Sequence, residues 1–273
     1  HLDQTVRAGL LLTRAQLLRL RLRRIATPEA QTDARRALAM FEEHDDQLGV
    51  VRSLIVLAWL AAASDDRALM AVFADRAVTL AARLRDDLVV GLSLGPKAAS
   101  QAHLQDVLDV ARDGVTHLRR AGATRSLAHL LSAAGYCALV HADYETAGAL
   151  FGEAIGPARA SEDTWMQLMV IGNQGLAALF QEQFDAAQAA FDEQVALLDT
   201  APAWMRRVMI DEPMIGLACI AAARGDHEQA RTLAHIAHTN EDHLHREELI
   251  VHRRLTRRFL AGALDRSDDR GPR

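Results

Sequence analysis

GYCALVHADYETAGALFGEA at residues 135–154 repeats as GLAALFQEQFDAAQAAFDEQ at residues 175–194, an offset of forty residues. The matched positions are Gly135, Tyr144, Ala147, Phe151 and Ala154 in the first segment, and Gly175, Phe184, Ala187, Phe191 and Gln194 in the second. A fixed period of this length is typical of stacked helical hairpins, in which each hairpin buries an apolar face against its neighbour. The sequence therefore predicts an all-α fold, a right-handed α-solenoid.

The same register extends in both directions along the chain. The residues equivalent to Tyr144 are Gln31, Arg67, Leu104, Phe184 and His227. Nine positions before Arg67, Leu104, Tyr144, Phe184 and His227 are the small residues Ala58, Gly95, Gly135, Gly175 and Ala218, whereas Leu22 before Gln31 is an exception. A small residue on the first helix of a hairpin lets the second helix cross closely. We predict about six hairpins and a capping helix from Leu244 to Leu264, which form one domain over residues 1–264, followed by a disordered tail at 265–273.

The composition of the chain indicates how its core is built and which classes of partner it can bind. Half of the residues are hydrophobic but only 4% are aromatic, so Ala, Leu and Val must supply the core, as in helix-on-helix packing. The net charge of −5 argues against direct binding of nucleic acid by the whole surface. No apolar run is long enough to span a bilayer, and the two cysteines, Cys137 and Cys219, fit reduced core positions. We expect a cytoplasmic protein with no membrane partner.

The order of residues in the repeat resembles the tetratricopeptide repeat family. The family's small residue, aromatic, Ala, aromatic and Pro correspond to Gly135, Tyr144, Ala147, Phe151 and Pro157. The resemblance covers most of the chain, although Ala138 and Ala178 replace a first-helix Tyr and the period exceeds the usual 34. Longer units of this kind resemble the helical sensor regions of large bacterial regulators that carry an ATPase module beside a DNA-binding or cyclase module.

Three motifs imitate catalytic or metal chemistry. Gly91-Leu92-Ser93-Leu94-Gly95 spells a nucleophile elbow, but an elbow needs a strand before it, and we predict a helix kinked at Pro96 instead. The same run imitates a phosphate loop, yet Ala98 stands where a magnesium-binding hydroxyl is required. Six histidines between His227 and His252 lack the spacing of a known metal motif. We expect no catalytic activity, no cofactor and no metal.

The first helices of the hairpins are predicted to line a concave groove. Helical spacing places eight residues on that face: Arg52, Trp59, His129, Ser132, Tyr136, Met169, Asn173 and Leu176. Aromatic, Met and polar groups together make an adaptable binding surface. The competing interpretation is that Trp59 and Met169 simply complete the core between helices.

Two further features are set aside as candidates. Trp165-Met166 and Trp204-Met205 each open a first helix, and this strip marks the carboxy-terminal half as the ligand end if it is functional. Arginines crowd the first helix around Arg14 and the last helix around Arg254 and Arg258, where they form a polar outer face or contact a neighbouring domain.

The sequence favours a non-catalytic interaction or sensor domain, part of a larger bacterial signalling protein or transcriptional regulator. Its partner would be a protein or peptide, or another domain of the same polypeptide, bound in the concave groove. The alternative is a small-molecule receptor in which the solenoid closes an apolar pocket around an effector. An esterase built on Ser93 is a third reading, which an ester assay of Ser93→Ala would test.

Overall fold

The computed structural model describes residues 3–21, 27–237 and 254–260, and these residues contain helices and short turns but no strand. The described helices are α1 (Gln4–Arg21), α2 (Pro28–Glu43), α3 (Gln47–Ala63), α4 (Arg67–Leu84), α5 (Asp87–Ala99), α6 (Leu104–Arg120), α7 (Thr124–Val140), α8 (Tyr144–Ala160), α9 (Thr164–Phe180), α10 (Phe184–Thr200), α11 (Ala203–Met209), α12 (Asp211–Ala223) and α13 (His227–Ala237). A π-helical turn follows at Thr256–Leu260. None of the helices in these ranges is long and apolar enough to cross a membrane.

The chain divides into two compact units, His1–Ala134 and Gly135–Arg273. In the first unit the helices pack as the pairs α1–α2, α3–α4 and α5–α6, and in the second α9 packs with α10 and α12 with α13. This succession of hairpins confirms the predicted fold class, an all-α solenoid. Its handedness and the extent of a single domain stay predictions. The predicted tail, and all of the predicted capping helix except 254–260, lie outside the described residues.

Three turns between paired helices, α3–α4, α7–α8 and α12–α13, share one construction, whereas α6 and α10 begin after His103 and Gln183 without a side-chain cap. The middle residue has a left-handed backbone, as at Asp65 (φ 55°), Ala142 (φ 63°) and Gly225 (φ 84°). The next residue is an aspartate that caps the following helix; Asp143, for example, accepts a hydrogen bond from the amide of Thr146 at 3.1 Å. An aspartate at this position satisfies an amide that has no partner inside the helix. In these three turns, the left-handed residue therefore ends one helix and the aspartate after it begins the next.

In the second unit, glycine lets a phenylalanine pack against the facing helix. A Cβ at Gly135 would lie 2.7 Å from Cε1 of Phe151, and a Cβ at Gly175 would lie 2.7 Å from Cε1 of Phe191. Both phenylalanines are fully buried, and each such ring contributes roughly 1.5–3 kcal/mol of burial free energy. The close helix packing therefore occurs at the repeat positions from which it was predicted.

The close approach in the first unit falls elsewhere than predicted. A Cβ at Gly95 would only touch Trp59, at 3.6 Å, whereas a Cβ at Gly91 would come within 2.6 Å of Leu118. The helix α6 therefore crosses α5 at Gly91, one turn before the expected position. Ser93 lies between the two glycines, within α5, where its hydroxyl donates a hydrogen bond to the carbonyl of Val90 at 2.8 Å. The elbow-like run is a helix, as predicted.

Candidate partner-binding site

In the first unit the structure brings together two of the predicted groove residues. The rings of Trp59 on α3 and His129 on α7 meet edge to face, with their centroids 5.3 Å apart and their planes at 84°. Arg52 is exposed two turns before Trp59 on the same helix, and Ser132 is only 2% exposed. This unit therefore contains one aromatic contact among the predicted residues, and a serine that belongs to its interior.

In the second unit the predicted residues are mostly interior. Asn173 and Leu176 are 7% and 3% exposed on α9, while Tyr136 and Met169 are half-buried. Met169 packs at the edge of a cluster formed by Leu168, Leu198, Met205 and Met209. A partner could reach Met169 and Tyr136 directly, whereas contact with Asn173 or Leu176 requires the surrounding helices to move. Their role in binding stays a prediction.

A more accessible feature lies beside Met169. Trp165 at the start of α9 and Trp204 at the start of α11 stack with centroids 6.1 Å apart and planes 17° from parallel. Trp204 is 56% exposed, while Met205 and Met209 behind it are buried. We call this set, Trp165, Met169, Trp204, Met205 and Met209, the tryptophan–methionine surface. The sequence singled out both Trp-Met pairs but gave no reason to expect them to meet.

The position of Trp204 depends on a break in the first helix of the last hairpin. A single helix was expected there, but α11 ends at Met209 and α12 begins at Asp211. Pro213 explains the break, because proline has no amide to bond the carbonyl of Met209 and its ring clashes with that carbonyl. The short helix α11 carries Trp204, whose ring stacks on Trp165. Proline at this position was the sequence signal for the break.

Polar groups lie beneath the tryptophan–methionine surface. Gln194 on α10 is 0% exposed and donates a hydrogen bond from Nε2 to the carbonyl of Leu168 at 3.2 Å, whereas its Oε1 has no hydrogen-bond partner. Gly172 makes room for it, since a Cβ there would lie 2.4 Å from Nε2 of Gln194 and 2.1 Å from Oε1 of Glu212. The preceding repeat has Ser132 and Ala154 at these positions. The smaller Gly172 on one helix therefore compensates for the larger Gln194 on the other.

An exposed ion pair lies at the rim of the tryptophan–methionine surface. Arg206 and Asp199 form an ion pair at 3.0 Å, and both side chains are more than half exposed. Such exposed pairs contribute little to stability. Their presence beside an exposed indole matches the usual arrangement of a partner-binding surface, with an apolar centre and a polar edge.

Two reactive side chains of the described residues, Ser93 and Cys219, are buried, whereas Cys137 is partly exposed. Ser93 is fully buried within α5. Burial raises the pKa of the Cys219 thiol to about 12, so it stays protonated at neutral pH. Within residues 3–21, 27–237 and 254–260, no three His, Cys, Asp or Glu side chains are grouped to hold a metal ion. Of the six histidines between His227 and His252, only His227 and His235 lie within these ranges.

A cavity of about 480 Å³ lies between α8, α9 and α10 in the second unit. Its walls are small residues such as Gly148 and Ala178, with the amides of Gln174 and Gln181 and the carboxylate of Glu145. Nε2 of Gln181 is already used, because it donates a hydrogen bond to the carbonyl of Tyr144 at 3.1 Å. The cavity is mixed in polarity, unlike the apolar pockets that usually hold small ligands.

The whole fold resembles two solved structures. The crystal structure of BtubC (BKLC) from P. vanneervenii aligns with a TM-score of 0.61 at 15% identity, over 99% of this chain and 94% of the other. The apo form of RapI aligns with a TM-score of 0.61 at 13% identity, over 93% of this chain and 86% of the other. At such identities the similarity establishes the helical-repeat fold alone. No protein-family model matches this chain, and no curated protein matches it in sequence.

Proposed function

We propose that this chain is a non-catalytic interaction domain that binds an apolar or aromatic segment of a protein partner on the tryptophan–methionine surface. The observation that carries the proposal is the stacking of Trp165 with a Trp204 that remains 56% exposed. An indole left in water costs solvation free energy that a partner side chain can recover on binding. Trp is also the residue most enriched among the positions that dominate binding energy.

The surroundings of Trp204 support an adaptable site. Met169, Met205 and Met209 are flexible and polarizable, so they can repack around different side chains. The short helix α11 carries two of them and is separated from α12 at Ile210, which gives the surface a segment that can adjust when a partner binds. The resulting change in α11 would be passed to α12, and this is the sensor mechanism that we propose for a larger cytoplasmic regulator.

The test is a selection of peptides from a random dodecamer library on the immobilised full chain, followed by fluorescence-polarisation affinities. We expect enriched peptides to be rich in aromatic residues and to bind the Trp204→Ala variant about thirtyfold more weakly, as for a dominant interface residue. Val72→Ala is the matched control, since Val72 is an exposed apolar residue of the first unit. Peptides that bind the wild type and Trp204→Ala within twofold of each other would reject the site.

The small-molecule alternative has weaker support. It requires a closed apolar pocket, whereas the 480 Å³ cavity has amide and carboxylate groups in its walls. This alternative would be favoured by a ligand that raises the melting temperatures of the wild type and of Trp204→Ala equally. The same ligand should raise the melting temperature of Gln174→Ala by a smaller amount.

A further inference from the structure

We propose that the carboxy-terminal ends of α7 and α9 form a docking site for a basic helix of another protein, one with arginines four residues apart and an aromatic residue after the second. The arginine-docking surface consists of the carbonyls of Leu139, Val140 and Phe180, the carboxylate of Glu182 and the ring of Phe184. This proposal is independent of the tryptophan–methionine surface. The evidence is that the chain's own segment 254–260 already occupies it.

The first half of the contact is made by Arg254. Its Nη1 donates hydrogen bonds to the carbonyl of Val140 at 2.7 Å and to that of Leu139 at 3.3 Å. Val140 is the last residue of α7, so its carbonyl has no amide partner within the helix, while the carbonyl of Leu139 also accepts a hydrogen bond from the amide of Ala142 in the following turn. The carboxy-terminal end of a helix also carries partial negative charge, which favours a guanidinium.

Arg258 makes the second half at the equivalent place in the next repeat. Its Nη1 donates to the carbonyl of Phe180, the last residue of α9, at 3.1 Å, and its Nη2 lies 2.5 Å from Oε1 of Glu182. Val140 and Phe180 are forty residues apart, so the two arginines bind corresponding carbonyls of successive hairpins. The spacing of four residues between the arginines therefore matches the distance between equivalent carbonyls on the arginine-docking surface.

Apolar contacts fix the direction of the segment. The ring of Phe259 meets that of Phe184 edge to face at 6.2 Å, and Leu255 and Leu260 are fully buried. Phe180 is itself stacked on Tyr144 at 4.5 Å, with ring planes 3° from parallel. The arginine-docking surface thus binds two guanidinium groups and one aromatic ring in a fixed order.

Two observations indicate that the segment can be exchanged. The side chains of Arg258 and Glu182 are 40% and 58% exposed, so their ion pair is screened by solvent and holds the segment weakly. Residues Thr256–Leu260 are in a π-helical turn, a rare register that is often associated with functional sites. A partner helix with the same side chains in regular α-helical geometry could replace it.

The experiment uses a fluorescein-labelled peptide of residues 250–263, IVHRRLTRRFLAGA, and full-length protein. In the wild type the tethered segment competes with the peptide at high effective concentration. The variant R254Q/R258Q releases the surface, so we expect it to bind the peptide at least about tenfold more tightly than the wild type. Adding Glu182→Gln should weaken binding of the peptide by about threefold, as for an exposed ion pair, whereas adding Glu193→Gln, which removes a carboxylate that pairs with Arg159, should not.

The proposal fails if R254Q/R258Q binds no tighter than the wild type, or if a peptide with both arginines replaced by glutamine binds equally well. Circular dichroism of each variant shows whether the fold is retained, and the comparison between Glu182→Gln and Glu193→Gln does not depend on the released segment. Sedimentation equilibrium tests whether the segment of a second copy of this chain occupies the arginine-docking surface. A wild-type dimer that dissociates in R254Q/R258Q would mean that copies exchange their own segments, and would overturn the proposal of a foreign helix.

Discussion

Gly175 and Phe191 occupy complementary positions, the glycine on α9 opening the space that the buried ring on α10 fills. A Cβ at Gly175 would lie 2.7 Å from Cε1 of Phe191, and on its other side the ring lies so close to Gly216 of α12 that a Cβ there would be 2.3 Å away. The ring is therefore confined by two backbones, neither of which can retreat without shifting a helix.

This confinement predicts the effect of adding one methyl group. We expect Gly175→Ala to lower the free energy of unfolding by about 1–3 kcal/mol, because the ring has no free volume into which it can move. The measurement is urea denaturation followed by circular dichroism. Gly152→Ala is the matched control, since a Cβ at Gly152 on α8 would meet nothing within 4 Å, and it should raise stability by about 0.5–1 kcal/mol. Equal effects of the two changes would contradict this packing.

Ala142 adopts a left-handed backbone, with φ of 63°, in the turn between α7 and α8. This conformation costs a residue with a Cβ roughly 1–2 kcal/mol, and glycine avoids the cost. We therefore expect Ala142→Gly to stabilise the protein by about 0.5–1 kcal/mol after the greater flexibility of the unfolded chain is included. Thermal denaturation can check this. Ala189→Gly on the exposed face of α10 should instead destabilise by about 1 kcal/mol, and a similar loss in Ala142→Gly would show that the turn is not as described.

Cys219 should be chemically inert in the folded protein. Burial raises its pKa from 9.0 to about 12, so at pH 8 it has almost no thiolate. In a Cys137→Ser variant, we expect Ellman's reagent to label no thiol rapidly at pH 8 and to label one after denaturation. Rapid labelling of the folded variant would show that the thiol is accessible.

The same shift predicts a dependence of stability on pH. The pKa of Cys219 is higher in the folded state than in the unfolded state, so its contribution is complete below pH 9.0 and declines as pH rises toward about 12. Cys137→Ser should therefore lose more stability between pH 8.5 and pH 10.5 than Cys137→Ser/Cys219→Ala, measured by urea midpoints. Parallel curves for the two variants would exclude this linkage.

Ser93 should be dispensable for any reaction. Its hydroxyl is fully buried and bonded to the carbonyl of Val90 within α5. We expect Ser93→Ala to change the free energy of unfolding by less than about 1 kcal/mol, as for a local bond to an already bonded carbonyl. Hydrolysis of p-nitrophenyl acetate by the two proteins should also be the same. Loss of an esterase activity in Ser93→Ala would reinstate the serine as a nucleophile.

The repeat made the helices predictable because the signals that define them are local. Asp143 follows a turn and starts a helix through a bond to an amide three residues later, and the same chemistry recurs at Asp66. Gly135 and Phe151 are separated by the same number of residues as Gly175 and Phe191. The repeat in the sequence therefore predicted both glycine–phenylalanine contacts of the structure. Pro213 was a local signal too, and it explains why the expected long helix is divided into α11 and α12.

The sequence alone thus determined the helices, their pairing and the buried side of each second helix, since capping and periodicity act over three or four residues. The tertiary structure alone decided which side chains remain accessible. Helix α9 has neighbours in α8, α10 and α12, so Asn173 and Leu176, predicted to line a groove, are covered. The stacking of Trp165 on Trp204 and the contact of Arg254 with Val140 join residues 39 and 114 positions apart, and such contacts depend on helix directions that no local pattern specifies.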